Sequence, residues 1–82
     1  MNIYEIEFVS RCPNDGTDVT YYLEIISNQM IMLEDINELI VGKFKVGFHE
    51  QIADELFAKF GGKQSIMAKH KLGRIHTIRE TL

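Results

Sequence analysis

The chain holds one cysteine, one proline and no tryptophan among its 82 residues. A lone cysteine, Cys12, excludes an internal disulfide framework and any zinc site built on several thiolates, and it suits a reducing compartment. Apolar runs are short, and none approaches the ~20 residues that a membrane-spanning helix needs. The first residues, Met1-Asn2-Ile3-Tyr4-Glu5, are neither basic nor continuously apolar, so no secretory signal is expected, no membrane partner, and a cytoplasmic location. No glycine pattern of the P-loop or dinucleotide-binding kind is present. His70 and His76 lie close together near the C-terminus, but no third and fourth ligand stands at useful spacing, so no metal is expected.

What is present describes a small globular domain. Hydrophobic residues make up 45% of the chain and charged residues 26%, which argues against disorder. One domain over residues 1–82 is expected, and a chain of this size buries only roughly 60–65% of its unfolded surface. Oligomerisation is a common remedy for so modest a core. The net charge of −3 hides an asymmetry. Residues 1–42 hold eight acids and one base, Arg11, whereas residues 43–82 hold eight Lys/Arg and four acids. A basic second half suits a phosphate-bearing partner, a solvated charged face, or an oligomer in which acidic and basic faces meet.

Periodicity gives the elements. Ile3–Val9 alternates, with Tyr4, Ile6 and Phe8 on one side and Glu5 and Glu7 on the other, the signature of a half-buried strand. The stretch 12–18 (Cys-Pro-Asn-Asp-Gly-Thr-Asp) is dense in turn formers, and Val19–Ile26 resumes alternation, which predicts an antiparallel hairpin. Leu33, Ile36, Leu39 and Ile40 fall at helical spacing, and Gly42 is the expected stop. Ile52, Ala53, Leu56, Phe57 and Phe60 form an apolar stripe on a longer helix over 48–60, closed by Gly61-Gly62. Ile66–His70 and Arg74–Arg79 read as a second hairpin. The order β-β-α-α-β-β favours an α+β fold, an antiparallel sheet with both helices on one face. Its two open edges invite several copies to join and close a barrel.

Two segments carry reactive groups. Cys12 stands at a strand end beside a Pro/Gly turn, where Arg11 could favour the thiolate. A buried, inert cysteine is the plainer alternative. Phe48-His49-Glu50 opens the longer helix, where an acid simply favours the positive end of the macrodipole. The functional reading is that His49 and Glu50 both project towards a pocket, the carboxylate accepting paired N–H bonds from a guanine-like ring.

Phe8-Val9-Ser10-Arg11-Cys12-Pro13-Asn14-Asp15-Gly16 resembles the cysteine loop of the QueF family, the 7-cyano-7-deazaguanine reductases, with its Phe-x-Ser-x-Cys-Pro-x-x-Gly pattern. Phe48-His49-Glu50 resembles that family's Phe-His-Glu segment, and the element order is similar to the tunnelling fold (T-fold) of its superfamily. The resemblance spans nearly the whole chain and implies a homo-oligomer with active sites between subunits. It implies that Cys12 attacks the nitrile of 7-cyano-7-deazaguanine to give a thioimide, that Glu50 anchors the heterocycle and that His49 shuttles protons. The family's general-acid aspartate, seven positions after the cysteine, falls on Val19, with Asp18 one residue earlier as the substitute.

The reductases also carry a lysine-rich signature for NADPH between hairpin and long helix. Residues 33–39 here read Leu-Glu-Asp-Ile-Asn-Glu-Leu; Glu34 is retained, as a substrate-binding residue by the resemblance, and the lysines are not. An acidic segment is electrostatically wrong for NADPH phosphates. The chain is therefore more similar to the QueF-like amidinotransferases, which need no redox cofactor and let ammonia resolve the thioimide to the amidine of archaeosine in tRNA. The alternatives are an NADPH-dependent nitrile reductase and a non-catalytic purine- or pterin-binding module.

Overall fold

A computed structural model describes residues 1–81. The chain runs β1 (Asn2–Arg11), β2 (Asp18–Ser27), α1 (Leu33–Lys43), α2 (His49–Phe60), β3 (Lys63–Lys69) and β4 (Arg74–Glu80). The four strands form one antiparallel sheet in the order β1-β2-β3-β4. The fold is α+β, with the element order that the alternation predicts. β1 and β2 pair from Asn2↔Ser27 to Arg11↔Asp18, and the register continues through Leu23↔Ile66 to Ile66↔Thr77.

Side chains alternate across the strands, so one parity set faces the helices. Phe8, Val19, Tyr21, Leu23, Ile25, Ile66 and Ala68 from the sheet meet Ile36, Ile40, Ile52, Ala53 and Leu56 from the helices in a single core. α2 lies against β3 and β4. The opposite sheet face is bare, and it presents Ile3, Val9, Tyr22 and Ile78 among charged neighbours.

Among the element ends that differ from the periodicity, three have a tertiary reason. β1 continues through Ser10 and Arg11, since Ser10 is polar yet only 1% exposed and keeps the inward alternation. α1 passes through Gly42 to Lys43, and the buried Phe44 closes it with its N–H donating to the Ile40 carbonyl at 2.9 Å. β3 begins three residues early, at Lys63. Buried Gln64 donates through Nε2 to the carbonyls of Leu56 (3.0 Å) and Gly61 (2.9 Å), satisfying acceptors at the end of α2 from the neighbouring strand. Gly62 is needed where it stands: its φ is +71°, and a Cβ there would lie 2.5 Å from the Ile26 carbonyl oxygen.

Candidate functional site

Cys12 follows the last residue of β1 and shares the inward parity of Phe8 and Ser10. Its N–H donates to the Thr17 carbonyl at 2.8 Å and its carbonyl accepts from the Gly16 N–H at 2.9 Å. These bonds close the turn and hold the thiol half-buried at the rim of the core. Gly16 takes a φ of +74° there. Asp15 organises the same turn, its Oδ1 accepting from the Thr17 N–H (3.0 Å) and hydroxyl (2.7 Å). These two bonds lower the Asp15 pKa, and the nearby Cys12 thiol contributes in the same direction. Asp15 is thus ionised at neutral pH and acts as an acceptor beside the sulfur.

The second motif is brought to this end of the sheet by backbone pairing. The Arg11 N–H donates to the Lys45 carbonyl at 2.9 Å and the Gly47 N–H donates to the Arg11 carbonyl at 3.1 Å, a short parallel bridge outside β1. Phe48-His49-Glu50 starts one residue beyond that bridge, so α2 begins where β1 ends. Nothing in the sequence pattern of residues 44–47 announces this pairing.

His49 and Glu50 then part company, contrary to the expectation that both project into one pocket. Consecutive helical residues point about 100° apart. His49 turns inward and is 8% exposed. Its ring lies 5.6 Å from that of Tyr21, which itself stacks on Phe8 at 5.1 Å. Nε2 is 2.6 Å from the Thr77 hydroxyl, while Nδ1 is buried without a partner. Burial lowers the His49 pKa from 6.5, and His70 and Arg79 act in the same direction against Glu50. Burial raises the pKa of Tyr21, with Cys12 contributing.

Glu50 turns outward to the far edge, where Arg79 Nη2 donates to its Oε2 at 2.7 Å and Arg79 Nε donates to Asp54 at 3.1 Å. Cys12 extends the end of β1, whereas Arg79 belongs to β4 and lines up through Gln64 and Ile25 with Tyr4 near the start of β1, so the two are separated both across the sheet and along the strands. Within one chain, then, the Cys12 thiol and the Glu50 carboxylate occupy opposite edges of the sheet.

The remaining expected residues are placed apart from the thiol. Asp18 pairs in register with Arg11, and their exposed side chains stand 3.9 Å apart, with the parity of the bare face. Arg11 is accordingly engaged by Asp18, and the carboxylate beside Cys12 is Asp15. Glu34 is exposed in the first turn of α1. That turn follows residues 29–31, which dock on Tyr4 at the start of β1 through the Tyr4 hydroxyl. Cys12 is at the other end of the strand, so the two do not meet in one chain.

The pattern gave no sign of Tyr21 or Thr77 as site residues, because each sits at an inward strand position that reads as core. Ser10 Oγ and His70 Nε2 are, with His49 Nδ1, buried polar atoms without partners. A groove of about 640 Å³ lies between the Cys12 turn and the β3–β4 turn, lined by Asp15, Thr17, Asp18, Lys69, His70 and Lys71 among others. Its size falls within the range of small-molecule sites. Among the described residues no cluster of three or more His, Cys, Asp or Glu could hold a metal ion, and no helix is long and apolar enough to cross a membrane. Neither family models, curated proteins nor solved structures give a match to this chain.

Proposed function

We propose that this chain is a QueF-like amidinotransferase of the tunnelling fold, acting on the nitrile of 7-cyano-7-deazaguanine, free or within tRNA. The observation that carries the reading is the placement of Cys12 and Glu50 at opposite edges of a sheet whose outer strands carry no further named strand. Joining β4 of one copy to β1 of the next continues the antiparallel order and sets the edge that carries one chain's Glu50 beside the strand that leads into the next chain's Cys12. The site is then shared between subunits of a homo-oligomer, and either subunit alone is incomplete.

The chemistry balances without a redox partner. The Cys12 sulfur adds to the nitrile carbon, and the nitrile nitrogen takes up the proton that the thiol gives, through His49 as relay. Ammonia then adds to the thioimide carbon, and the thiolate leaves with its proton restored, so nitrile and ammonia become an amidine. Glu50 accepts the ring N–H bonds of the heterocycle, exchanging part of its pairing with Arg79. Holding the nitrile against sulfur supplies much of the acceleration. Asp15 is the carboxylate of the Cys12 turn, three residues after the cysteine rather than at the Asp18 position of the family's acid, and its lowered pKa makes it an acceptor rather than a donor. The exposed acids of α1, Glu34, Asp35 and Glu38, repel NADPH phosphates and favour ammonia over hydride. Lys69 and Lys71 on the groove suit a substrate carried in tRNA.

Intact-mass measurement tests the reading. Incubation with the cyano-deazaguanine base should add the mass of the base to the wild-type chain and nothing to Cys12→Ala. Ammonium should then release an amidine. Consumption of NADPH with formation of an amine would move the chain to the reductases, and binding without any adduct would make it a non-catalytic purine-binding module.

A further inference from the structure

The outer edges of β1 and β4 match one another in backbone, in side-chain face and in charge. On β1, the Arg11 N–H and carbonyl bond Lys45 and Gly47 on the side away from β2. Backbone groups alternate along a strand, so Val9, Glu7, Glu5 and Ile3 aim theirs at the same outer side. On β4 the turn sets the phase: His70 and Gly73 exchange both backbone bonds, at 2.8 and 3.3 Å. Every second pair beyond it, Ala68↔Ile75, Ile66↔Thr77 and Gln64↔Arg79, is bonded between β3 and β4 in the same way. Arg74, His76, Ile78 and Glu80 therefore aim their N–H and carbonyl groups at the outer edge. The side chains of these four, and of Ile3, Glu5, Glu7 and Val9, are all exposed on the bare face. Pairing the two sets edge to edge keeps every side chain on its own face.

We propose that the β1 edge is the docking site for β4 of a second copy of this chain, in the register Glu7↔Arg74, Glu5↔His76 and Ile3↔Ile78. The inference rests on the joined edges of the reading above and fixes which residues meet; it uses none of the covalent chemistry. Among the described residues, Glu5, Glu7, Arg74 and His76 have no ion pair within the chain. In this register each acid meets a basic partner, and the two exposed isoleucines meet each other. The joined strands run antiparallel, because β1 and β4 are themselves antiparallel in the four-stranded sheet. Neighbouring registers are poorer. A two-residue shift one way sets Arg74 on Val9, Ile78 on Glu5 and Glu80 on Ile3, charge against hydrocarbon at each. A further shift sets Arg74 on Arg11, whose outward groups already bond Lys45 and Gly47. A shift the other way sets Glu7 on Leu72 of the turn and carries Ile78 past the start of β1. Pairing β1 with the β1 of another copy sets acid against acid, which is destabilising.

Charge reversal read by sedimentation of the full chain gives the test. The wild type should sediment as an oligomer, and salt should weaken it because the pairs lie at the surface. Glu7→Lys places like charges opposite one another and should weaken association about tenfold or more. Arg74→Glu should do the same, and the two together should restore the wild-type oligomer. Glu7→Lys combined with His76→Glu should not recover, because that rescue belongs to the shifted register. Glu7, Arg74 and His76 are exposed, so the circular dichroism of each variant should match the wild type. A wild-type monomer at micromolar concentration overturns the proposal. So does an oligomer indifferent to Glu7→Lys, which joins through other surfaces, and so does rescue by His76→Glu in place of Arg74→Glu. No substrate enters the measurement, so its failure is distinct from absence of the Cys12 adduct, which removes the covalent reading and leaves this interface.

Discussion

The imidazole of His49 is placed where its neutral form is favoured, under the start of α2 with one nitrogen on Thr77 and the other without a partner. Its pKa is lowered from 6.5 in the folded chain, chiefly by burial, so the unfolded chain binds the proton more readily. Its contribution to stability is therefore complete above pH 6.5 and is lost as pH falls from there through the lowered folded value. Urea unfolding at pH 7.5 and at pH 5.5 should show the wild type losing stability over that interval. His49→Gln should lose less of it, and equal losses in both chains would mean that other groups control the acid response. Cys12 and Asp15 make a second pair in which sequence and environment differ in what they reveal. The thiol is evident in the motif, while the acid beside it is set by a turn whose bonds to Thr17 could be drawn only once the turn was closed.

Two glycines in the helical and turn segments respond in opposite directions. Gly42 lies near the end of α1 with no heavy atom within 4 Å of an added Cβ. Gly42→Ala should raise stability by about 0.5–1 kcal/mol through the restricted unfolded chain and better helix propensity. Gly62 combines positive φ with a Cβ position 2.5 Å from the Ile26 carbonyl oxygen, between α2 and β3. Gly62→Ala should lower stability by about 1–3 kcal/mol. Denaturant midpoints of both variants give the comparison, and a destabilised Gly42→Ala would mean that α1 needs its glycine for a contact made outside the single chain. At this scale the hairpins and both helices were legible because strands repeat every two residues and helices every 3.6. Their ends were less so. Ser10, Gln64 and Phe44 extend or close elements through burial and long-range bonds, which a local window does not contain.

Over the whole molecule the unpaired edges dominate. Odd-numbered residues of β1 share the parity of Arg11, whose N–H and carbonyl pair with Lys45 and Gly47 on the outer side. The earlier odd residues, Ile3, Glu5, Glu7 and Val9, turn their backbone groups to the same outer edge. An edge strand of this length is a ready template for another strand. The bare face, with Ile3, Val9, Tyr22 and Ile78 exposed, gains burial if copies curl into a closed sheet. If the site is shared, Cys12→Ala and Glu50→Ala chains should each be inactive alone. Co-refolded in equal amounts, they should regain roughly a quarter of wild-type activity, as random neighbours in a ring restore intact sites. No recovery, together with a stable monomer in sedimentation, would place the thiol and the anchor within one chain or dissociate them altogether.

The amino-acid order by itself determined the α+β class, the sequence of six elements, the inward set of core residues and the two reactive segments, because these follow from local periodicity and turn chemistry. Which groups lie together was decided only by the tertiary structure. Arg11 pairs with residues 45–47, His49 turns inward to Thr77 and Glu50 turns outward to Arg79. Those choices depend on contacts between residues dozens of positions apart, where geometry of the packed chain, and not the spacing of letters, sets the distance.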